Sequence, residues 1–192
     1  MVGDADAEPN ANTGDRALAT AADVKSKSPA SVVHWHGRLS YRRMRTVFEA
    51  AGGKEGMHRL ADAWHRRVMA DEVVSHAFSH GFHPQHVERL AAYWAEALGG
   101  PRTYSESYGD ETTVVRMHSG NGEHDEMNRR AIACFDQALV DAGLAGDNAL
   151  RQVLHNYFAW ATTTTMARYH QSADDVPGGL SIPRWSWDGL QV

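Results

Sequence analysis

Apolar residues recur at steps of three and four through the middle of the chain, and that spacing predicts its helices. Between Lys54 and Ala70, Met57, Leu60, Ala61, Trp64 and Val68 fall on one stripe. His86, Leu90, Tyr93 or Trp94, and Ala97 repeat the step, as do Met127, Ala131, Phe135 and Leu139 between Asp125 and Ala142. A last helix is expected from Asn148 to Tyr169, with Leu150, Leu154, Phe158, Ala161 and Thr165 on one face. The pairs Gly52-Gly53 and Gly99-Gly100 read as helix stops. The stretch PRTYSESYGDETTVVRMHSGNGE, between Gly100 and His124, is threaded with Pro, Gly, Ser, Thr and Asn and predicts a long structured loop. No strand–helix–strand alternation appears, so the expected class is all-α.

Composition changes at both ends. Residues 1–30 are rich in Ala, Asp, Asn, Ser and Lys, with too few large apolar side chains to offset their ordering entropy, and are expected to be a disordered leader. Residues 31–45 form a short extension, 46–170 the helical domain, and 171–192 a tail with two prolines, Trp185 and Trp187. That tail is expected to pack as an extended strap, because exposed indoles are costly. The net charge of −5 gives no positive field for phosphate backbones, so nucleic acid is not an expected partner. The acidic start lacks the basic and apolar segments of a signal peptide. No apolar run approaches the roughly 20 residues that span a bilayer, so no membrane association is expected. The single cysteine, Cys134, forms no intrachain disulfide and fits a reducing cytoplasm; it reads as a small core residue.

Histidine is the candidate for chemistry. Twelve are present. His80, His83 and His86 cluster, with His65 on the preceding helix and His118 and His124 beyond. Imidazole ligates Zn, Cu, Fe and Ni, so two readings stand. One is haem iron. The alternative is a non-haem metal-binding protein or hydrolase using His80, His83 and His86, although Gly81 and Pro84 interrupt the helix that would align them.

Three stretches carry a resemblance to the group II truncated haemoglobins. They are VFEAAGG at residues 47–53 followed by a helix ending in ADEV at 70–73, GGPRTYSE at 99–106, and RMH at 116–118. The resemblance implies a two-over-two helical sandwich around haem b, with His118 as proximal iron ligand, sixteen residues before Cys134 and Phe135. A loop histidine that caps the next helix is the other reading of His118, and His124 would then be the ligand. It also implies Phe78 at the haem edge, His65 where an aromatic hydroxyl is common, His86 facing the bound ligand and Leu90 one turn on. An N–H donor beside a diatomic ligand stabilises its partial negative charge, and His86 or His65 can supply one. Direct ligation of iron by His86, and a backbone-bonded buried role for His65, remain open here.

Departures from the family pattern matter as well. Ala131 stands where the family carries a tryptophan over the haem, so either the cavity is larger or Trp64, Trp185 or Trp187 fills it. The sequence HSGNGE after the proximal position predicts a looser loop than usual. Arg116, Tyr104 and Arg102 are the expected propionate partners. The implied ligands are dioxygen, nitric oxide, carbon monoxide or peroxide, with dioxygenase- or peroxidase-like redox chemistry drawing on an electron donor. A homodimer is compatible with the sequence. The strap is expected either to shape the pocket or a subunit contact, or simply to cover an apolar patch.

Overall fold

The computed structural model describes residues 45–191, so the leader and all but the last residue of the 31–45 extension lie outside the described residues. Helix α1, Val47–Ala50, begins with a reciprocal cap. Thr46 Oγ1 accepts the Glu49 N–H at 3.1 Å, and Glu49 Oε2 accepts the Thr46 N–H at 2.9 Å. The chain then turns through Gly52 and Gly53, both at positive φ (91° and 63°), which only glycine adopts without strain. Helix α2, Gly53–Ala70, passes so close under α1 that a Cβ on Gly56 would stand 1.7 Å from the Ala51 carbonyl oxygen. A 3-10 turn, Val74–Phe78, leads to α3, His86–Ala97, which stops before Gly99 at φ 92°.

The expected loop between Gly100 and His124 is instead built largely of two short helices, α4 (Thr103–Ser107) and α5 (Glu111–Met117). Breakers on either side misled the composition. Each helix is too brief to be stable alone and is held by tertiary contacts. Asp110 caps α5, accepting the Thr113 N–H at 2.7 Å, and Val114 and Val115 are buried. Helix α6, Asp125–Asp141, and α7, Asn148–Trp160, follow the predicted stripes. The last helix leaves α-geometry earlier than its spacing suggested, running on as a π-helical turn, Ala161–Met166. There the Thr163 hydroxyl donates to the Ala159 carbonyl at 2.8 Å, a competition typical of threonine runs.

Helix α2 packs on α3 and α6, and α6 on α7. One aromatic ring from each of the four meets at the centre. Trp64 and Trp94 cross edge-on at 5.8 Å, Phe158 lies 5.6 Å from Trp64, and Phe135 stacks on Phe158 at 4.1 Å. This is the two-over-two all-α sandwich, and the seam between its layers opens into the site described below. The strap ends in a hairpin, β1 (Arg184–Ser186) against β2 (Gly189–Gln191), with Trp185 opposite Leu190. No helix among the described residues is long and apolar enough to cross a membrane.

Candidate functional site

Two adjoining cavities, of about 270 and about 1000 Å³, share Trp64, Phe78, His86, Leu90, His118 and Met127 in their walls. Histidines face each other across this space from α3 and from the end of α5.

His118 closes α5. Its Nδ1 lies 2.8 Å from the Val114 carbonyl oxygen, which can only accept, so Nδ1 carries the hydrogen and Nε2 keeps its lone pair. The ring is accessible because it lines both cavities, whose walls rather than bulk water surround it. Burial holds its pKa below the ordinary histidine value, against the opposing pull of the Val114 bond. A neutral imidazole, fixed in orientation by an outer hydrogen bond and presenting Nε2 to a cavity, is the usual form of a histidine metal ligand. His124, the other candidate, is exposed at the start of α6 and lines the outer cavity alone.

Opposite stands His86, the first residue of α3. Its Nε2 is buried and has no hydrogen-bond partner. Burial first, then the neighbouring His65, His118 and His83, lower its pKa to about 4, so the ring is neutral at physiological pH. His65 does not line either cavity. Its ring sits 5.0 Å from that of His86 and 4.8 Å from that of Phe82, with its own Nδ1 buried and unpartnered. His65 thus lies one layer back from the cavities, against Phe78, Phe82 and His86, while the helical register of α2 turns Trp64 toward them.

Several other expected placements change. Ala131 is at the wall as predicted, and Trp64 lies beside it, its indole N–H donating to the Ala131 carbonyl at 3.3 Å. Trp64 thus adds indole bulk there, with its N–H committed to backbone. Trp185 and Trp187 do not line the cavities; Trp185 packs on Trp160 at 5.3 Å, and Trp187 donates to the Arg45 carbonyl at 2.7 Å. Arg116 reaches the Val176 carbonyl at 3.3 Å, and Arg102 lies 3.9 Å from Glu96, so neither lines the site. Tyr104 does, in the inner cavity, together with Arg89. The loop after His118 is not loose: Gly120 and Gly122 donate to the Tyr169 and His170 carbonyls at 3.0 and 2.9 Å. His80, His83 and His86 do not converge. Among the described residues no three His, Cys, Asp or Glu side chains are placed to hold a metal ion, so the structure gives the non-haem reading no site.

One buried acid carried no signal in the helical spacing. Glu111, in the first turn of α5, accepts the Tyr93 hydroxyl at 2.8 Å through Oε2, while Oε1 is buried without a partner. Burial raises its pKa to about 7 against the lowering effect of the Tyr93 bond. The folded carboxyl therefore keeps its proton where the unfolded one, with an ordinary pKa near 4.3, has lost it. The contribution of Glu111 to stability falls as pH rises from that value to about 7 and levels off above, opposite in sign to that of His86, whose lowered pKa makes stability rise with pH over part of the same range. Glu111→Gln keeps an acceptor for Tyr93 and is expected to remove this contribution, seen as a urea midpoint at pH 8 that rises relative to the midpoint at pH 5 when compared with the unaltered chain.

The bacterial-like globin family model matches residues 46–163. A group 1 truncated hemoglobin of Tetrahymena thermophila is 32% identical over 112 residues, covering 56% of this chain and 88% of that protein. Among solved structures, the hemoglobin of Chloroflexus aurantiacus is 29% identical, covering 65% of this chain and 99% of its own, with a TM-score of 0.56. The hemoglobin of Thermobifida fusca is 30% identical over 64% of this chain and 97% of its own, with a TM-score of 0.53. The group II truncated hemoglobin of Bacillus anthracis, at 22% identity and a TM-score of 0.57 over 66% of this chain and 93% of its own, is alike in fold.

Proposed function

The chain belongs to the bacterial-like globin family, and on that premise we propose that it holds haem b between His118 and His86 and binds dioxygen or another diatomic gas on the iron. Haem is the family's cofactor, and the residues present fit it. The observation that carries the reading is the pair of imidazoles: His118 with Nδ1 tied to Val114 and Nε2 free, and His86 with a buried Nε2 that no protein group satisfies. A buried polar atom without a partner costs roughly 1–3 kcal/mol, a cost removed when a ligand supplies the missing bond. The group II assignment rests on the GGPRTYSE string, since the curated relative is named as group 1 and fold likeness does not separate the groups.

When bound, haem supplies an iron centre able to take a gas ligand and exchange electrons. The chain's own work is to hold and shield it. His118 supplies the proximal nitrogen, and Phe78 and Leu90 present apolar surface to the macrocycle. His86 donates a hydrogen bond to a partly charged ligand. His65, unpartnered and 5.0 Å behind His86, can exchange a proton with it, and this favours peroxidase- or dioxygenase-like turnover fed by an electron donor. His80, His83, His124 and His170 line the outer cavity, where no arginine or lysine does, and their imidazoles would be the groups available to the propionates.

The test is reconstitution. Titrating the purified chain with haemin, then reducing it and adding carbon monoxide, is expected to give a Soret band saturating at one haem per chain and shifting on each step. A featureless titration, with only the spectrum of free haemin, would refute the assignment.

A further inference from the structure

The family match ends at residue 163, so the strap lies outside the part of the chain shared with the family. Its polar contacts gather on the helix that ends in His118. Buried Thr112 is the hub: its hydroxyl donates to the Pro177 carbonyl at 3.2 Å and accepts the Leu180 N–H at 3.0 Å. One turn on, Arg116 donates to the Val176 carbonyl at 3.3 Å, and Val176 is itself buried. Gly120 sits so close that a Cβ there would be 3.2 Å from the Ala173 nitrogen. The strap's far end is anchored independently, Arg184 donating to the Glu96 carbonyl at 2.7 Å at the close of α3. The opposite side of α5 is pinned to the core through Glu111 and Tyr93.

We propose that the strap is a brace for the proximal helix, and that Thr112 is the positioning residue through which it fixes His118. This rests on His118 being the iron ligand. A seven-residue helix has too few internal bonds to hold its own axis, so its orientation is set by what grips it from outside. On the core side that grip is the Glu111–Tyr93 hydrogen bond and the burial of Val114 and Val115. On the solvent side it is the strap, which bonds both ends of α5, packs against Gly120 in the loop beyond, and joins them to the end of α3, the helix that begins with His86. The indoles of the tail serve this anchoring: Trp185 packs on Tyr157 and Trp160, fastening the hairpin to α7.

The test uses the full haem-loaded chain with Thr112→Val, which keeps shape and loses both hydrogen bonds, and Thr112→Ser, which restores them. Amide exchange across residues 114–118 is expected to be about tenfold faster in the valine variant and within about twofold of the parent in the serine variant, while α2 and α3 are unchanged. The iron–histidine stretching band of the ferrous protein is expected to shift or broaden with valine and return with serine. Arg116→Ala, at an exposed position, gives a smaller change in the same direction and serves if the valine variant does not fold. Unchanged exchange and an unchanged band overturn the brace, as does acceleration spread evenly over α2 and α3. His118→Gly separates the two readings: if the band survives in it, the ligand assignment fails, while the exchange data still judge the brace.

Discussion

Replacing His86 with leucine is expected to speed dioxygen release from the reduced haem protein about 10- to 150-fold. A hydrogen bond to a charged or strongly polarised group contributes roughly 1.5–3 kcal/mol, and each 1.4 kcal/mol is a factor of ten. Leucine keeps an apolar side chain of similar bulk but offers no donor. His86 is suited to that role because its Nε2 is buried and has no competing protein acceptor. Carbon monoxide draws little charge onto itself, so its release should change far less. Stopped-flow ligand replacement reads both rates. With a pKa lowered to about 4, His86 is neutral throughout the ordinary range, and the dioxygen rate should be flat from pH 5 to pH 8. Equal rates in parent and variant would remove His86 from the ligand's surroundings. Loss of a six-coordinate spectrum in the gas-free variant would show instead that His86 binds iron directly.

The long helices were legible because burial on one face imposes a period, and α2, α3, α6 and α7 carry it plainly. The short ones were not. Helices α4 and α5 span no more than two turns, too few for the pattern to repeat, and α5 is held by the Asp110 cap, by burial of Val114 and Val115, and by the strap, which is distant in sequence. Residues on the inward face of a readable helix, Trp64, His86, Leu90 and Ala131, line the inner cavity. His65 does not, since one step along a helix is 100° of rotation and carries a side chain off the lining face. Arg116 was misplaced for a different reason: nearness in sequence to His118 says nothing about which side of a helix it occupies. Glu111 follows Asp110 in a polar string that gives no sign of burial, and only the fold brings Tyr93 over it. The strap's destination was equally hidden, because prolines and tryptophans announce packing without naming the surface.

On the proposed reading, everything functional depends on the bond between His118 and the iron. Glycine at position 118 removes the imidazole and leaves a gap of its size in the cavity wall that would hold the haem. Loss of an outer-shell partner alone typically costs about 10- to 100-fold in metal affinity, and loss of the ligand itself should cost more. Residual apolar contacts from Phe78 and Leu90 would retain haem weakly. Free imidazole can occupy the gap and replace the missing nitrogen without the chain. The direct measurement is therefore the haem absorption spectrum and haem affinity of His118→Gly, with and without millimolar imidazole, beside the parent protein. The expected result is a weakened, altered Soret band in the variant that regains the parent's position and affinity when imidazole is added. A variant that binds haem as tightly as the parent, with the same spectrum and no response to imidazole, would contradict ligation by His118.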